Sequence, residues 1–539
     1  MPGFGHIPRD YAQAVEAYDP DIPEFFNFGR DVVDRHPPEK IAITAVSEDM
    51  ETVRDISFGA LSALTNRFAD ALARLGLAPG AHVMVVMDRV PDWFTVMLGA
   101  NKAGVVTVPG TTLLTGRDIA WRVQATGAQA VIVTGRHCGK VETIAAECPS
   151  LRHLIVSGGT RDGWLALDDL LAGASETPPV VRTRATDLMM VYFTSGTTSA
   201  PKLVPRDHSY ALAHAATGLF WMDLRESDLH WTLTDTGWAK AAWGKLYPPL
   251  LLGARVLLYD AAERFDPAAH LAVIERFRVT SFCAPPTVYR MLAQHDLGAY
   301  DLSSIRRSLG SGEPLNPEAI RVWHAATGHF IADGYGQTEA INLIGNCVGI
   351  EIRPGAMGKP VPGFDIDVID DDGNRLPPGE IGHIGVHLSD PWPPGLFDGY
   401  ITPEGRDRRA FRNGWYYTGD TARRDADGYF WFIGRADDLI LSAGYRISPF
   451  EVESALLEHP AVAESAVVAA PDPTRGHVVR AFVVLASGWE ADAALVAELQ
   501  AFCKAQTAPY KYPREIEFVS DLPKTVSGKI RRVALRARG

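Results

Sequence analysis

The sequence predicts an α/β protein: a large N-terminal domain of βαβ subdomains with a small β-barrel-like part, then a small α+β domain at the C-terminus. Three observations carry this expectation. Between about Ile56 and Asp260, short apolar runs alternate with segments whose apolar residues recur three to four apart. After Gly363 the texture changes to short strands punctuated by Gly and Pro. The last hundred or so residues then carry a helix–strand–strand–helix–strand pattern of their own. At 539 residues the chain exceeds one simple core, because domains run to roughly 100–200 residues.

Taken in order, the predicted strands of the first part are Val83–Met87, Val105–Val108, Ala130–Thr134, Leu154–Val156 and Val256–Tyr259. Between them the spacing predicts helices over Leu61–Gly76 and Trp93–Gly104. Apolar strands separated by helices are the pattern of parallel βαβ units buried on both faces. One more unit follows, with Val279–Ala284 as strand and Thr287–Gln294 as helix. The Gly/Pro-rich stretch predicts strands at Ile366–Ile369, Ile381–Leu388 and Tyr429–Ile433, with a turn at Asp372-Gly373-Asn374. The terminal pattern predicts helices at Pro449–Glu458 and Ala491–Gln506 and strands at Ala466–Ala470, Val478–Leu485 and Glu515–Val519.

Charge and composition narrow the function. A net charge of −13 argues against a surface for nucleic acid, which needs a basic face. The five cysteines contain no CxxC pair, which suits reduced thiols and gives neither a disulfide framework nor a zinc site. No run approaches the ~18 apolar residues of a membrane helix, and the first twenty residues include acidic ones without a long apolar stretch. The expectation is a soluble, cytoplasmic protein with no membrane partner. Its oligomeric state is not legible.

The chemistry begins at Val191–Lys202. An apolar strand runs into a hydroxyl-rich loop in which Thr194, Ser195, Thr197 and Thr198 offer donors. Gly196 lets backbone N–H groups face an anion, and Lys202 adds a point charge. Together they suit a polyphosphate, although no Walker A pattern is present. Composition alone reads equally as a surface turn. The loop resembles the T-S-G-[ST]-[ST]-G-x-P-K signature of the adenylate-forming enzymes, which include acyl- and aryl-CoA ligases, firefly luciferase and nonribosomal adenylation domains. Ser199 departs from that signature, standing where the family carries glycine.

Further motifs follow in the family's order. Gly312-Glu313-Pro314 resembles its adenine-side loop, and Asp333-Gly334-Tyr335-Gly336-Gln337-Thr338-Glu339 its next motif. The resemblance implies that Tyr335 lies against adenine, Thr338 bonds phosphate and Glu339 holds Mg²⁺, in keeping with the preference of a hard cation for carboxylate and phosphate oxygens. Asp420, in Trp415-Tyr-Tyr-Thr-Gly-Asp420, can accept both ribose hydroxyls. The resemblance implies that Arg435 contacts the ribose or phosphate and that Asp437 is a hinge, so the domains are expected at 1–436 and 437–539, the second mobile. Gly444 suits passage of pantetheine and Arg446 a phosphate or domain contact. Lys529, in Leu522-Pro-Lys-Thr-Val-Ser-Gly-Lys529, matches the family's catalytic lysine.

The resemblance thus implies an ATP- and Mg²⁺-dependent ligase that adenylates a carboxylic acid and passes the acyl group to CoA, with Lys529, Lys202, Thr338 and Glu339 as catalytic groups. Asp235–Trp238, Ala284–Arg290, Glu458–Val462, Pro471–Gly476 and Ala508–Arg514 are most similar to medium-chain acyl-CoA synthetases. Acetate-specific relatives carry tryptophan where Gly336 stands, so a larger acid is expected: medium-chain, branched or aromatic. Its pocket is expected at Trp238, Gly310, Ser311 and Gly336. Loading a carrier-protein phosphopantetheine thiol instead of CoA stays open as the alternative.

Overall fold

The computed structural model describes residues 8–194, 201–261, 265–312, 317–442, 445–473, 475–524 and 530–538. By its internal contacts the chain forms two units. The first comprises residues 1–194, 203–364 and 389–408; the second comprises 195–202, 365–388 and 409–539.

The first unit holds two sheets of nine strands each among the described residues. In one, Ile41–Val46, Arg255–Tyr259, Leu229–Thr232, Ser281–Ala284, Arg307–Ser311 and Ile331–Gly336 run parallel as successive neighbours. Antiparallel strands close its edges at Val53–Ser57, Asn342–Gly345 and Lys359–Pro360. In the other sheet His82–Val86 lies between Val106–Pro109 and Ala130–Thr134, all parallel. Lys202–Asp207 is joined at its far side by Tyr400–Thr402 in antiparallel sense. The βαβ reading therefore holds, and each predicted strand of this unit lies within two residues of an observed one.

Local chemistry explains the helix limits. Phe58–Arg74 begins at Ser57, whose hydroxyl accepts the Ala60 N–H at 3.2 Å. It buries Phe58, Leu61, Thr65, Phe68 and Leu72 at three-to-four spacing. Opposite, Asp92–Lys102 is buried along nearly its whole length, and a Cβ on its Gly99 would stand 2.8 Å from the Phe68 ring. That close approach requires glycine. Lys102 offsets its burial by donating to Asp34 at 2.6 Å and Asn66 at 2.8 Å.

In the second unit, Ile366–Ile369, Ile381–His387, Trp415–Arg424, Phe411–Arg412 and Phe430–Arg435 form a five-stranded antiparallel sheet; these strands were expected within the N-terminal domain, whereas by internal contacts they group with the C-terminal residues. A hairpin of Val462–Asp472 and Gly476–Leu485, extended in parallel by Glu515–Phe518, packs with helices Pro449–Leu457 and Ala493–Gln506. This is the expected α+β terminus.

No helix among the described residues is long and apolar enough to cross a membrane, and all five cysteines are free and buried.

Buried histidines contribute to the pH response of the first unit. Burial lowers His208, His230 and His270 from the usual 6.5 to about 4. Each stays neutral in the fold while the unfolded chain takes up a proton below about pH 6.5. Their contribution is therefore complete above pH 6.5 and falls as the pH drops toward 4, by about 2 kcal/mol per histidine at pH 5. Asp333, raised by burial to about 7, acts in the opposite sense between its ordinary 3.8 and 7. Asp207 and Asp260 are raised by burial as well, but His36, His82 and His214 are also lowered, so six histidines stand against three carboxyls and calorimetry is expected to give a lower melting temperature at pH 5 than at pH 7.

Candidate active site

Ligands settle at the carboxyl ends of parallel strands in open α/β sheets, and two of the sequence motifs meet at such an end. Gly310 of Arg307–Ser311 pairs with Asp333 of Ile331–Gly336, and Ser311 with Gly334. One register thereby places the strand end that leads into Gly312 beside the start of the Asp333–Glu339 motif. Gly312 continues from Ser311 with φ +106°, a left-handed conformation that glycine tolerates. Beneath them the Trp221 indole donates to the Asp333 carbonyl at 3.0 Å, and a Cβ on Gly334 would come within 2.5 Å of its ring. Asp333 keeps its carboxylate against the Gly334 N–H at 2.9 Å. Desolvation pushes it up to about 7, while that N–H and Lys240 act to lower it.

Gly336 ends the strand. A Cβ there would lie 2.4 Å from the Ile341 carbonyl oxygen, so the hairpin backbone itself requires glycine. The absence of a side chain at 336 therefore has a local cause besides the size of any acid. Tyr335, Gln337, Thr338 and Glu339 are half-buried, and Gln337 closes a turn by accepting the Ala340 N–H at 3.2 Å.

The loop after Leu229–Thr232 supplies Trp238. Asp235 anchors it, accepting from the Thr112 hydroxyl at 2.6 Å, the Thr112 N–H at 3.2 Å and the Gly237 N–H at 2.8 Å. Gly237 crosses the other sheet's loop so closely that a Cβ would meet the Gly110 carbonyl carbon at 2.0 Å. Trp238 is half-buried ahead of the short helix Ala239–Ala241, and from that helix Lys240 donates to the Ser311 carbonyl at 3.1 Å. Lys240, which no motif marked, ties the Trp238 loop to the Gly310–Ser311 strand end. Trp243 packs edge-on to Trp221 at 5.5 Å.

Around Glu339 lie two more residues that sequence reasoning missed. Arg206 donates to the Glu339 carbonyl at 2.9 Å, and the Tyr400 hydroxyl donates to Glu339 Oε1 at 2.7 Å. No local signal marks either, because pairing of Ile401 with Leu203 across nearly two hundred residues brings them there. Among the described residues no group of three or more His, Cys, Asp or Glu side chains could hold a metal ion. A single carboxylate with one oxygen engaged suits a cation that arrives with phosphates, which supply most of the oxygens a hard ion needs.

Thr194 ends the strand Leu188–Thr194, half-buried, and Lys202 opens the strand Lys202–Asp207 with its side chain exposed. Ser195, Gly196, Thr197, Thr198, Ser199, Glu313, Pro314, Gly444, Lys529 and the Arg446 side chain lie outside the described residues.

Within the second unit, Asp420 and Arg435 are partners across neighbouring strands. Asp420 is only 6% exposed, with Oδ1 3.8 Å from Arg435 Nη1. Arg435 Nε donates to Asp437 at 3.3 Å, so the three predicted residues form one charged row. Next to it Asp438 is gripped by Arg536 and lies 3.7 Å from Arg532.

The family model of the AMP-binding enzymes matches residues 30–401, and that of the AMP-binding enzyme C-terminal domain matches residues 451–529. The human mitochondrial acyl-coenzyme A synthetase ACSM3 is 42% identical over 98% of this chain and 92% of its own length. The crystal structure of the anthranilate CoA ligase AuaEII with anthranoyl-AMP is 34% identical, with a TM-score of 0.87 over 96% of this chain and 98% of that one. A benzoate CoA ligase from Burkholderia xenovorans LB400 is 30% identical, with a TM-score of 0.81 over 95% and 100%. The expectation of a cytoplasmic protein is corrected here. The curated relatives, ACSM3 among them, are mitochondrial, and the polar start of this sequence does not decide the compartment.

Proposed function

The chain belongs to the family of AMP-binding enzymes and is an ATP-dependent acid–CoA ligase, and we propose that its acid is larger than acetate: medium-chain, branched or aromatic. What supports the reading is the register that sets Gly310 and Ser311 beside Asp333 and Gly334, with Trp238 tied to the same strand end through Lys240. The half-buried indole at 238 suits an apolar or aromatic acid. The similarity to an anthranilate and a benzoate ligase points the same way. An apolar pocket discriminates by only ~1–3 kcal/mol per methylene, so several acids should be accepted.

Carboxylates are poor electrophiles. The acid's oxygen attacks the α-phosphorus of ATP in line and expels pyrophosphate, so two anions must meet and charge builds on the phosphate oxygens. In this reading Lys202 and the hydroxyls of Thr194, Ser195, Thr197, Thr198 and Thr338 hold the phosphates. Tyr335 and the Gly312–Pro314 segment take the adenine, and Asp420 and Arg435 the ribose. Lys529 neutralises charge at the α-phosphate and the incoming carboxylate. Glu339 would hold Mg²⁺, which when bound spreads the phosphate charge. The CoA thiol then attacks the acyl-adenylate carbonyl and releases AMP. For that step the domain at 437–539 turns about Asp437, withdrawing Lys529 and presenting Gly444 and Arg446 to the pantetheine.

The test is to supply ATP, Mg²⁺ and CoA with acids from acetate through octanoate, branched acids and benzoates, recording AMP and acyl-CoA separately. Stoichiometric AMP and acyl-CoA are expected for larger acids, with little for acetate. Turnover of acetate alone would overturn the pocket assignment. AMP without acyl-CoA would move the thiol acceptor from CoA to a carrier protein.

A further inference from the structure

Glu339 is held from two sides by residues with no part in the chemistry above. Arg206 is 2% exposed, its guanidinium 4.0 Å from the Tyr210 ring centroid. Among the described residues no carboxylate lies within ion-pair distance of it and its Nε has no hydrogen-bond partner. Its acceptors are main-chain carbonyls, Glu339 at 2.9 Å and Gly395. Burying a guanidinium costs several kcal/mol. In return the planar fork locks together two backbone segments that are distant in sequence, which the ammonium of a lysine would not do.

The segment it captures returns over Glu339. The Phe397 N–H donates to the Glu339 carbonyl at 2.9 Å, and the Tyr400 hydroxyl to Oε1 at 2.7 Å. Gly395, at φ +80°, lets the segment approach: a Cβ there would stand 2.9 Å from both Ala213 and Ile341. The Glu339 main chain is thus pinned by two donors and its side chain by a third. Oε2 takes no hydrogen bond from the described residues.

We propose that Tyr400 is a positioning residue for the metal–nucleotide site: its phenol O–H holds Glu339 Oε1 and leaves Oε2 for the divalent cation, while Arg206 fixes the backbone beneath. This rests on the reading of Glu339 as the carboxylate that takes Mg²⁺. An unrestrained glutamate loses rotamer entropy when it binds a cation, and one already held by a phenol loses less. Hydrogen bonds to a ligating carboxylate typically govern metal affinity by ten- to a hundredfold.

The experiment titrates the intact protein with α,β-methylene-ATP by calorimetry, once with Mg²⁺ and once with EDTA. The ratio of the two dissociation constants is the gain due to the metal. Tyr400→Phe keeps the ring contact with Phe397 at 4.9 Å and should fold. It is expected to lose about tenfold of that gain while its affinity in EDTA stays as in the wild type. Glu339→Gln is expected to abolish the gain. A wild-type gain in Tyr400→Phe with loss in Glu339→Gln would overturn the positioning role and leave the metal assignment standing. Equal weakening of Tyr400→Phe in Mg²⁺ and EDTA would show a merely structural tyrosine. A full gain in Glu339→Gln would remove the metal assignment, and the role of Tyr400 with it.

Discussion

Lys529→Ala is expected to lose adenylation by about 10²–10³-fold while forming thioester from supplied acyl-AMP and CoA at close to the wild-type rate. The asymmetry follows from charge. In the first step the carboxylate approaches an anionic α-phosphate, and a compact ammonium is the group that lets them meet. In the second, a thiol attacks a carbonyl that is already activated, and in the proposed reading the domain carrying Lys529 turns away for this step. Lys529→Arg should recover little, because a bulky planar fork does not replace a point charge in a tight site. Pyrophosphate release measures the first step, and acyl-CoA formed from synthetic acyl-adenylate measures the second. Equal loss in both would remove Lys529 from its assigned role.

Asp420→Asn is expected to raise the KM for ATP about 100-fold. Asp420 is almost wholly buried, its backbone N–H donates to the Thr418 hydroxyl at 3.2 Å, and a carboxylate so placed can accept both hydroxyls of a ribose. An amide of the same size accepts one at best and turns a donor toward the other. Losing hydrogen bonds to a charged acceptor costs about 1.5–3 kcal/mol each. Little of the effect should come from the fold: Arg435 is 3.8 Å away with a side chain 42% exposed, and ion pairs of that kind stabilise weakly. Steady-state kinetics with ATP varied, beside a melting curve, separates the two contributions. An unchanged KM would show that the ribose is held elsewhere.

Much of the architecture was legible because burial leaves a local pattern. Ala130–Thr134 and Ile366–Ile369 are observed as expected to the residue, since buried runs bounded by polar or glycine residues have few ways to pair. The helix expected at Leu61–Gly76 instead spans Phe58–Arg74, because Ser57 caps it one turn earlier. The strand expected at Ala466–Ala470 extends over Val462–Asp472, its length set by the ten-residue partner Gly476–Leu485. The strand Ile41–Val46 was not anticipated at all. It pairs with Arg255–Tyr259, more than two hundred residues away.

The same division runs through the site. By itself the sequence determined the reaction class and proposed the residues to test, because Glu339, Asp420, Arg435 and Lys202 stand in ordered motifs whose side chains match the charges of a nucleotide. Only the tertiary structure decided which backbones approach too closely for any side chain, as Gly336 does against Ile341 and Gly237 against Gly110. Only it joined Arg206, Lys240 and Tyr400 to the site. The physical reason is that a motif records a local need for a charge or a turn. A hydrogen bond between distant strands depends on register and packing, which leave no periodic trace in either segment alone.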